Sequence, residues 1–402
     1  MSRRVRFGLL VALVVATAWS IAGMQLAAGL LLLATLAGPW MWERSPDRDG
    51  SGRSEVALPV LAFAGICAAS VLLSPALGSF DPWAWRFPLL VLIVAIASRG
   101  LSPAALDRIG AAWVAAMAIA GAWAVAQAFT GLDLLALLHL RAHPFVIDSP
   151  WPGHFAALGF FNSRITFANA LLVPLALAGT WAVRGTGRTR TTALGATALL
   201  AFALVLTFTR AAWWGALFAA GIVLWRRGIA RIAIACAFVL ALGLAVPSVR
   251  ARFASSMSVG ANADRVFIWQ RAREVVRDHP VLGVGFGGYA RVAQPYYDRV
   301  DPAFPMHTWA HDTPLSLLAE TGPTGVAAYL WLWLAVYLLG LRAVRRGSAT
   351  ALGLFAGTLA VHAASLFHDV LYDGEVAFAL YVAAGLLAAL GAATEEQPSA
   401  AR

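Results

Sequence analysis

"LLAFALVLTFTRAAWWGALFAAGIVLW", residues 199–225, carries one arginine and no other charge. As a single helix the run would be about 40 Å long, against about 30 Å of bilayer hydrocarbon. It would also leave Arg210 in lipid, at a cost of about 2.5–3.5 kcal/mol. The chain therefore reverses at Arg210. Two antiparallel spans result, with the guanidinium at a tight turn on the membrane surface. Both spans must be helical, because lipid offers no partner for backbone N–H and C=O groups.

The rest of the chain repeats this pattern. Of 402 residues, 60% are hydrophobic and 12% charged, and the mean hydropathy is +0.74, well above soluble composition. The fold class expected is all-α, a polytopic membrane bundle of about twelve helices with a helical outer loop region. Spans are expected near 7–22, 25–42, 57–74, 87–98, 110–130, 165–183, 192–208, 211–225, 232–247, 323–341, 349–367 and 376–392. The apolar run from Phe7 to Trp42 is too long for a signal peptide and reads as two spans. The turns "RGTGRTR" (184–190), "RRGIAR" (226–231) and "RAVRRG" (342–347) agree on one orientation under the positive-inside rule, with both termini cytoplasmic.

Three regions follow. Residues 1–247 form a membrane domain of nine spans with an outer loop at 131–164; residues 248–313 form a large outer loop; residues 314–402 hold a short helix and the last three spans. Every basic residue is an arginine, so the net charge of +10 does not point to nucleic acid. Cys67 and Cys236 lie in apolar spans and predict neither a disulfide nor a metal site.

The chemistry gathers in the outward segments. Arg210 suits a phosphate, which a guanidinium binds bidentately without losing its charge; snorkelling to lipid headgroups is the plainer reading. In the large loop, Asp264 reads as the N-cap of a helix over 265–277. Val266, Phe267, Trp269, Ala272, Val275 and Val276 form its apolar face, and Arg265, Arg271, Arg273 and Arg277 lie elsewhere, so it should rest against the membrane domain. "GVGFGG" (283–288) satisfies G-x-G-x-x-G, but a helix and His279-Pro280 precede it where a nucleotide site needs a strand. A turn against the membrane domain is the better reading.

In "HDTPLSLLAETGPTG" (311–325), Asp312 or Thr313 caps a helix that Pro314 starts and Gly322-Pro323 ends or bends. His311 then lies at a helix N-terminus, where a diphosphate can be bound and an imidazole can take a proton. A residue that merely caps the loop is the alternative. Glu320 would be about 900° further round and so on the opposite helix face. His307 and His311 have an i, i+4 spacing beside Asp312, yet no third zinc ligand is evident. "FHDVLYDGE" (367–375) is a further polar cluster, read as a solvated turn or an acceptor-binding segment.

These residues resemble the O-antigen ligase and polymerase family, bacterial membrane glycosyltransferases of GT-C type. The ligase pattern is His, then Asn, Ser or Gln, then nine residues, then G-x-x-G; His311, Gly322 and Gly325 fit it, and Asp312 is the one departure. "GFFNSRITFANAL" (159–171) is similar to the family's G-F-x-N segment, which brings in Asn162. "TFTRAAWWG" (207–215) resembles its Ser/Thr-x-x-Arg hairpin, and 264–289 its Arg-x-x-x-Trp…His-Pro…Gly-x-Gly block. The resemblance implies an inverting, metal-independent transfer on the periplasmic face of the inner membrane, with no cofactor. The donor would be a glycan on undecaprenyl diphosphate and the acceptor lipid A-core or another glycan. Arg210 and Arg265, with Arg86 as a third candidate, would bind the diphosphate, and His311 would be the general base. Asp312, Glu320, Asn162, Gly322 and Gly325 would support them.

A ligase and a repeat-unit polymerase both fit outer segments of this size. A protein O-oligosaccharyltransferase fits less well, because those relatives carry a longer C-terminal region. A transporter or flippase would instead place ionisable residues near the membrane midplane, in broken helices of two related halves.

Overall fold

The computed structural model describes residues 3–36, 51–74, 87–140, 144, 146–225, 247–254 and 263–393. Within them the chain is helical, with one isolated bridge between Asp148 and Phe155 in place of any sheet. The first nine helices are α1 (Arg3–Ala16), α2 (Ile21–Leu36), α3 (Ser51–Leu72), α4 (Leu89–Ala97), α5 (Pro103–Thr130), α6 (Leu134–Leu137), α7 (Arg164–Arg184), α8 (Gly187–Leu206) and α9 (Arg210–Leu224). The large loop contributes α10 (Pro247–Ala254), α11 (Ala263–Asp278), α12 (Tyr289–Val292) and α13 (Gln294–Asp298). The chain closes with α14 (Thr313–Arg345), α15 (Ala349–Ser365) and α16 (Gly374–Ala393).

Among the described residues, helices α5, α7, α8, α14, α16 and the Glu55–Leu72 part of α3 are long and apolar enough to cross a membrane, and α2, α9 and α15 are shorter apolar helices. The chain is a multi-pass membrane protein. Each expected span falls on a helix except 232–247, of which residues 232–246 lie outside the described residues. The span expected at 87–98 is shortened to α4, with 9 residues between Pro88 and Ser98. At about 14 Å it does not reach across the hydrocarbon alone. Gly100, at φ 64°, then turns the chain towards α5.

Caps fix where the long helices begin. The Ser102 side chain accepts from Ala105 N ahead of Pro103, and Gly131 closes α5 in the left-handed conformation. Ser163 accepts from Ile165 N to start α7. The bundle centre is α7 and α16, both largely buried, with α15 packed on α7 and α9. Small residues let these helices approach closely: a Cβ on Gly357 would lie 2.7 Å from Val173 Cα, and one on Gly353 2.8 Å from Leu177 Cα. Exposed leucines such as Leu26, Leu33, Leu61 and Leu330 face outward, as a lipid-facing shell requires.

Two local expectations change. Helix α11 begins at Ala263, so Asp264 lies in its first turn and is not its N-cap. Its buried face is Ile268, Arg271, Ala272 and Val275, whereas Val266 is 43% exposed. The i, i+4, i+7 stripe that meets α14 is narrower than the apolar composition suggested. In α14 the helix is interrupted at Gly322 (φ 65°, ψ −173°), so 313–321 is a short helix set at an angle to the span that follows. This is the bend that Gly322-Pro323 predicts.

Candidate functional site

Helix directions alternate, so one end of the bundle collects the start of α7, the α8–α9 turn, the start of α14 and the α15–α16 loop. Arg210 opens α9 after a reversal through Thr207, Phe208 and Thr209, and Phe208 takes a left-handed φ of 52° to make it. The sequence places this turn correctly. Arg164, the first residue of α7, braces it by donating from Nη1 to Thr207 O at 2.9 Å and Phe208 O at 3.3 Å.

Arg164, Arg210 and Arg265 line one cavity of about 290 Å³ with Trp214, Trp269, Phe367 and His368. Arg265 reaches it from α11. Its Nη1 donates to Phe367 O and, at 3.5 Å, to His311 O, so the arginine cavity adjoins the histidine. Three guanidinium groups around an aromatic-walled cavity make an anion site able to meet a diphosphate with several charge-assisted hydrogen bonds.

His311 is held in a left-handed backbone conformation, φ 54°, uncommon for a residue with a side chain. Next to it, Asp312 Oδ1 accepts from Leu315 N at 2.9 Å and is the helix cap. The imidazole Nε2 of His311 is 3.0 Å from Nδ1 of His307, and its Nδ1 is 3.8 Å from Oδ2 of Asp369. The two histidines thus bond to each other. Asp369 is buried, and Ser316 Oγ donates to its Oδ1 at 2.5 Å. Thr313 Oγ1 donates to His368 O at 2.8 Å and accepts from Val370 N at 3.0 Å, which ties the 367–373 loop to the start of α14.

Burial, reinforced by His307, Arg265 and His368, pushes the His311 imidazole down to about 4. Burial lifts the Asp369 carboxyl to about 6, opposed by the Ser316 hydrogen bond. Near neutral pH the pair is therefore an uncharged imidazole beside a carboxylate. That arrangement can accept one proton and stabilise the imidazolium that forms.

Glu320 makes no dyad with His311. It is fully buried and accepts from Gly287 N at 2.7 Å, Tyr289 N at 3.1 Å and the Tyr372 hydroxyl. "GVGFGG" wraps this helix turn: Val284 N and Gly285 N donate to Ala319 O and Glu320 O at 3.0 and 2.9 Å. A Cβ on Gly283 would lie 2.4 Å from Glu320 C, and one on Gly322 2.0 Å from Val281 O. Gly325 leaves room for Thr321, whose Oγ1 would be 1.9 Å from an added Cβ. The glycines thus make the loop and the bent helix fit against each other. This loop carries α11, and with it Arg265, up to His311.

Arg86 lies outside the described residues. Asn162 lines a different cavity, beside the arginine site. Sequence reasoning passed over Arg164 and Asp369. The first was visible as an arginine at the mouth of an outer span, two residues after Asn162. The second sat in the polar 367–375 cluster but lies 58 positions (369 − 311) beyond the histidine it faces.

A search of curated proteins returns no match for this chain. Residues 195–330 match the sequence model of the family described as O-antigen ligase. That segment runs from α8 to α14 and includes Arg210, Arg265, His311, Glu320, Gly322 and Gly325. Over this segment the chain is similar to the O-antigen ligase family.

Proposed function

We propose that the protein transfers a glycan from undecaprenyl diphosphate to an acceptor hydroxyl on the periplasmic face of the inner membrane, and that the acceptor is lipid A-core. The match of residues 195–330 to the O-antigen ligase family supports glycan transfer in general. The observation that carries the finer reading is one cavity lined by Arg164, Arg210 and Arg265, the last of which also reaches the backbone carbonyl of His311.

In this reading the arginines bind the diphosphate and neutralise the charge that grows as the anomeric C–O bond breaks. The acceptor hydroxyl takes the place of His307 at Nε2 of His311, which accepts its proton as the new C–O bond forms on the opposite face of the sugar. The anomeric configuration inverts, and diphosphate leaves on its lipid. Asp369 steadies the imidazolium. The diphosphate is already a good leaving group, so positioning, charge stabilisation and one proton transfer suffice without a metal. The proposed set is His311 as base; Arg164, Arg210, Arg265 and Arg86 as diphosphate ligands; Asp312, Glu320, Gly322 and Gly325 as the frame.

The test is a host lacking this gene, complemented with wild type or His311→Ala. Bare lipid A-core together with long polymer on the lipid carrier is the expected result for the variant. Full decoration of lipid A-core by His311→Ala would refute the proposal. Single repeats accumulating on the carrier would instead assign a polymerase, whose acceptor is another lipid-linked repeat.

A further inference from the structure

Beside the arginine site lies a second cavity of about 360 Å³, lined by the α1–α2 turn, the segment before α7 and the start of α16. This is within the roughly 300–1,000 Å³ range of small-molecule sites. Trp19, 44% exposed, stacks on Phe160 with centroids 5.2 Å apart and planes 18° from parallel. Asn162, Glu375, Ser20 and Thr17 bring an amide, a carboxylate and two hydroxyls to the same space. Among the described residues that line it there is no arginine.

We infer that this cavity binds sugar rings of the glycan, a reading that rests on the proposed transfer and extends it away from the reacting bond. A pyranose has flat C–H faces that pack on aromatic rings and an edge of hydroxyls that need both donors and acceptors. An aromatic pair beside Asn162 and Glu375 offers both. The other candidates fit less well. Among the described lining residues a phosphate headgroup would meet a carboxylate and no cation, and an acyl chain would strip water from the amide and the carboxylate without replacing their hydrogen bonds.

The position agrees with this. Asn162 is two residues from Arg164, at most about 7 Å along the chain, and Arg164 lines the arginine cavity. On the other wall, Glu375 is two residues from Asp373, which accepts from Thr166 Oγ1 at 2.7 Å and lies 3.4 Å from Nε2 of His368. His368 also lines the arginine cavity. A glycan reacting at His311 can therefore continue across the Thr166–Asp373–His368 wall into the second cavity.

The test uses the full-length protein in nanodiscs and, as probe, the oligosaccharide released by mild acid from the host's lipid-linked pool. Trp19→Ala and Glu375→Gln should each weaken probe binding about tenfold, the loss of roughly one good contact, while Trp19→Phe restores it. Arg210→Ala should stop turnover yet bind the probe as wild type does. In the transfer assay both cavity variants should raise KM with kcat within about twofold. A raised donor KM assigns the sugars next to the diphosphate, and a raised acceptor KM assigns those of the acceptor; either supports the subsite. Probe binding by wild type without any transfer would sink the proposed reaction and leave the subsite standing. The inference fails if wild type does not bind the probe or if Trp19→Ala and Glu375→Gln bind it unchanged. Loss of a copurifying phospholipid from Trp19→Ala, with probe binding intact, would identify a lipid cavity and also overturn it.

Discussion

Replacing Asp369 by Asn tests the base and its partner together. The carboxylate Oδ2 lies 3.8 Å from Nδ1 of His311. A unit charge pair at that distance is worth about 4 kcal/mol at an effective dielectric near 20. The His311 side chain is 30% exposed, and screening reduces the figure towards about 2 kcal/mol. Because the imidazole becomes charged only as it takes the acceptor proton, this energy is missing from the transition state of the variant. It corresponds to a fall in kcat of about 30-fold to 1,000-fold. Asn retains a carbonyl that accepts from Ser316 Oγ, so the loop should keep its fold, and an unchanged melting temperature verifies this. Steady-state transfer at saturating donor and acceptor is the assay, run from pH 4 to 8. In wild type, kcat falls as pH drops through about 6, where Asp369 protonates, and falls again near 4, where His311 does. The upper of these two steps should vanish in Asp369→Asn. A variant with kcat within about threefold of wild type and both steps intact would refute the pairing of Asp369 with the base.

Arg164→Ala removes one cavity cation and the brace on Thr207 O and Phe208 O. A charged hydrogen bond is worth about 1.5–3 kcal/mol, so kcat/KM for the lipid-linked donor should fall about 10-fold to 100-fold in a donor titration, with acceptor KM unchanged. Gly322→Ala places a Cβ 2.0 Å from Val281 O at φ 65°, and should destabilise by more than about 4 kcal/mol, seen as loss of the folded peak in detergent. Gly195→Ala, inside α8 with nothing within 4 Å, is the matched control and should stabilise by about 0.5–1 kcal/mol. Purified protein treated with EDTA should keep its transfer rate, and loss of activity restored by a divalent cation would contradict the metal-independent reading.

Much was legible in the sequence because membrane physics leaves few choices. A long apolar run interrupted by a single arginine must turn there, and α8 and α9 do turn at Arg210. Gly322-Pro323 cannot continue a straight helix, and α14 bends at Gly322. Asp312 before Thr313-Pro314 has a capping pattern, and it caps. These are local rules, carried by neighbours in sequence. The short α4 and the true buried face of α11 were not legible, since both depend on what packs against them.

The sequence by itself determined an all-helical membrane chain, the turn at Arg210, the broken helix after His311 and the likeness of residues 195–330 to the O-antigen ligase family. Hydropathy, φ restrictions and capping act over a few residues and survive in a linear reading. Only the tertiary structure decided which charged groups meet. Arg164 joins Arg210 and Arg265, and Asp369 rather than Glu320 stands beside His311, whereas Glu320 turns inward to hold the glycine loop. Those pairings span tens to more than a hundred positions. They arise because alternating helices bring distant ends to one side of the bundle, where burial leaves each polar group a small choice of partners.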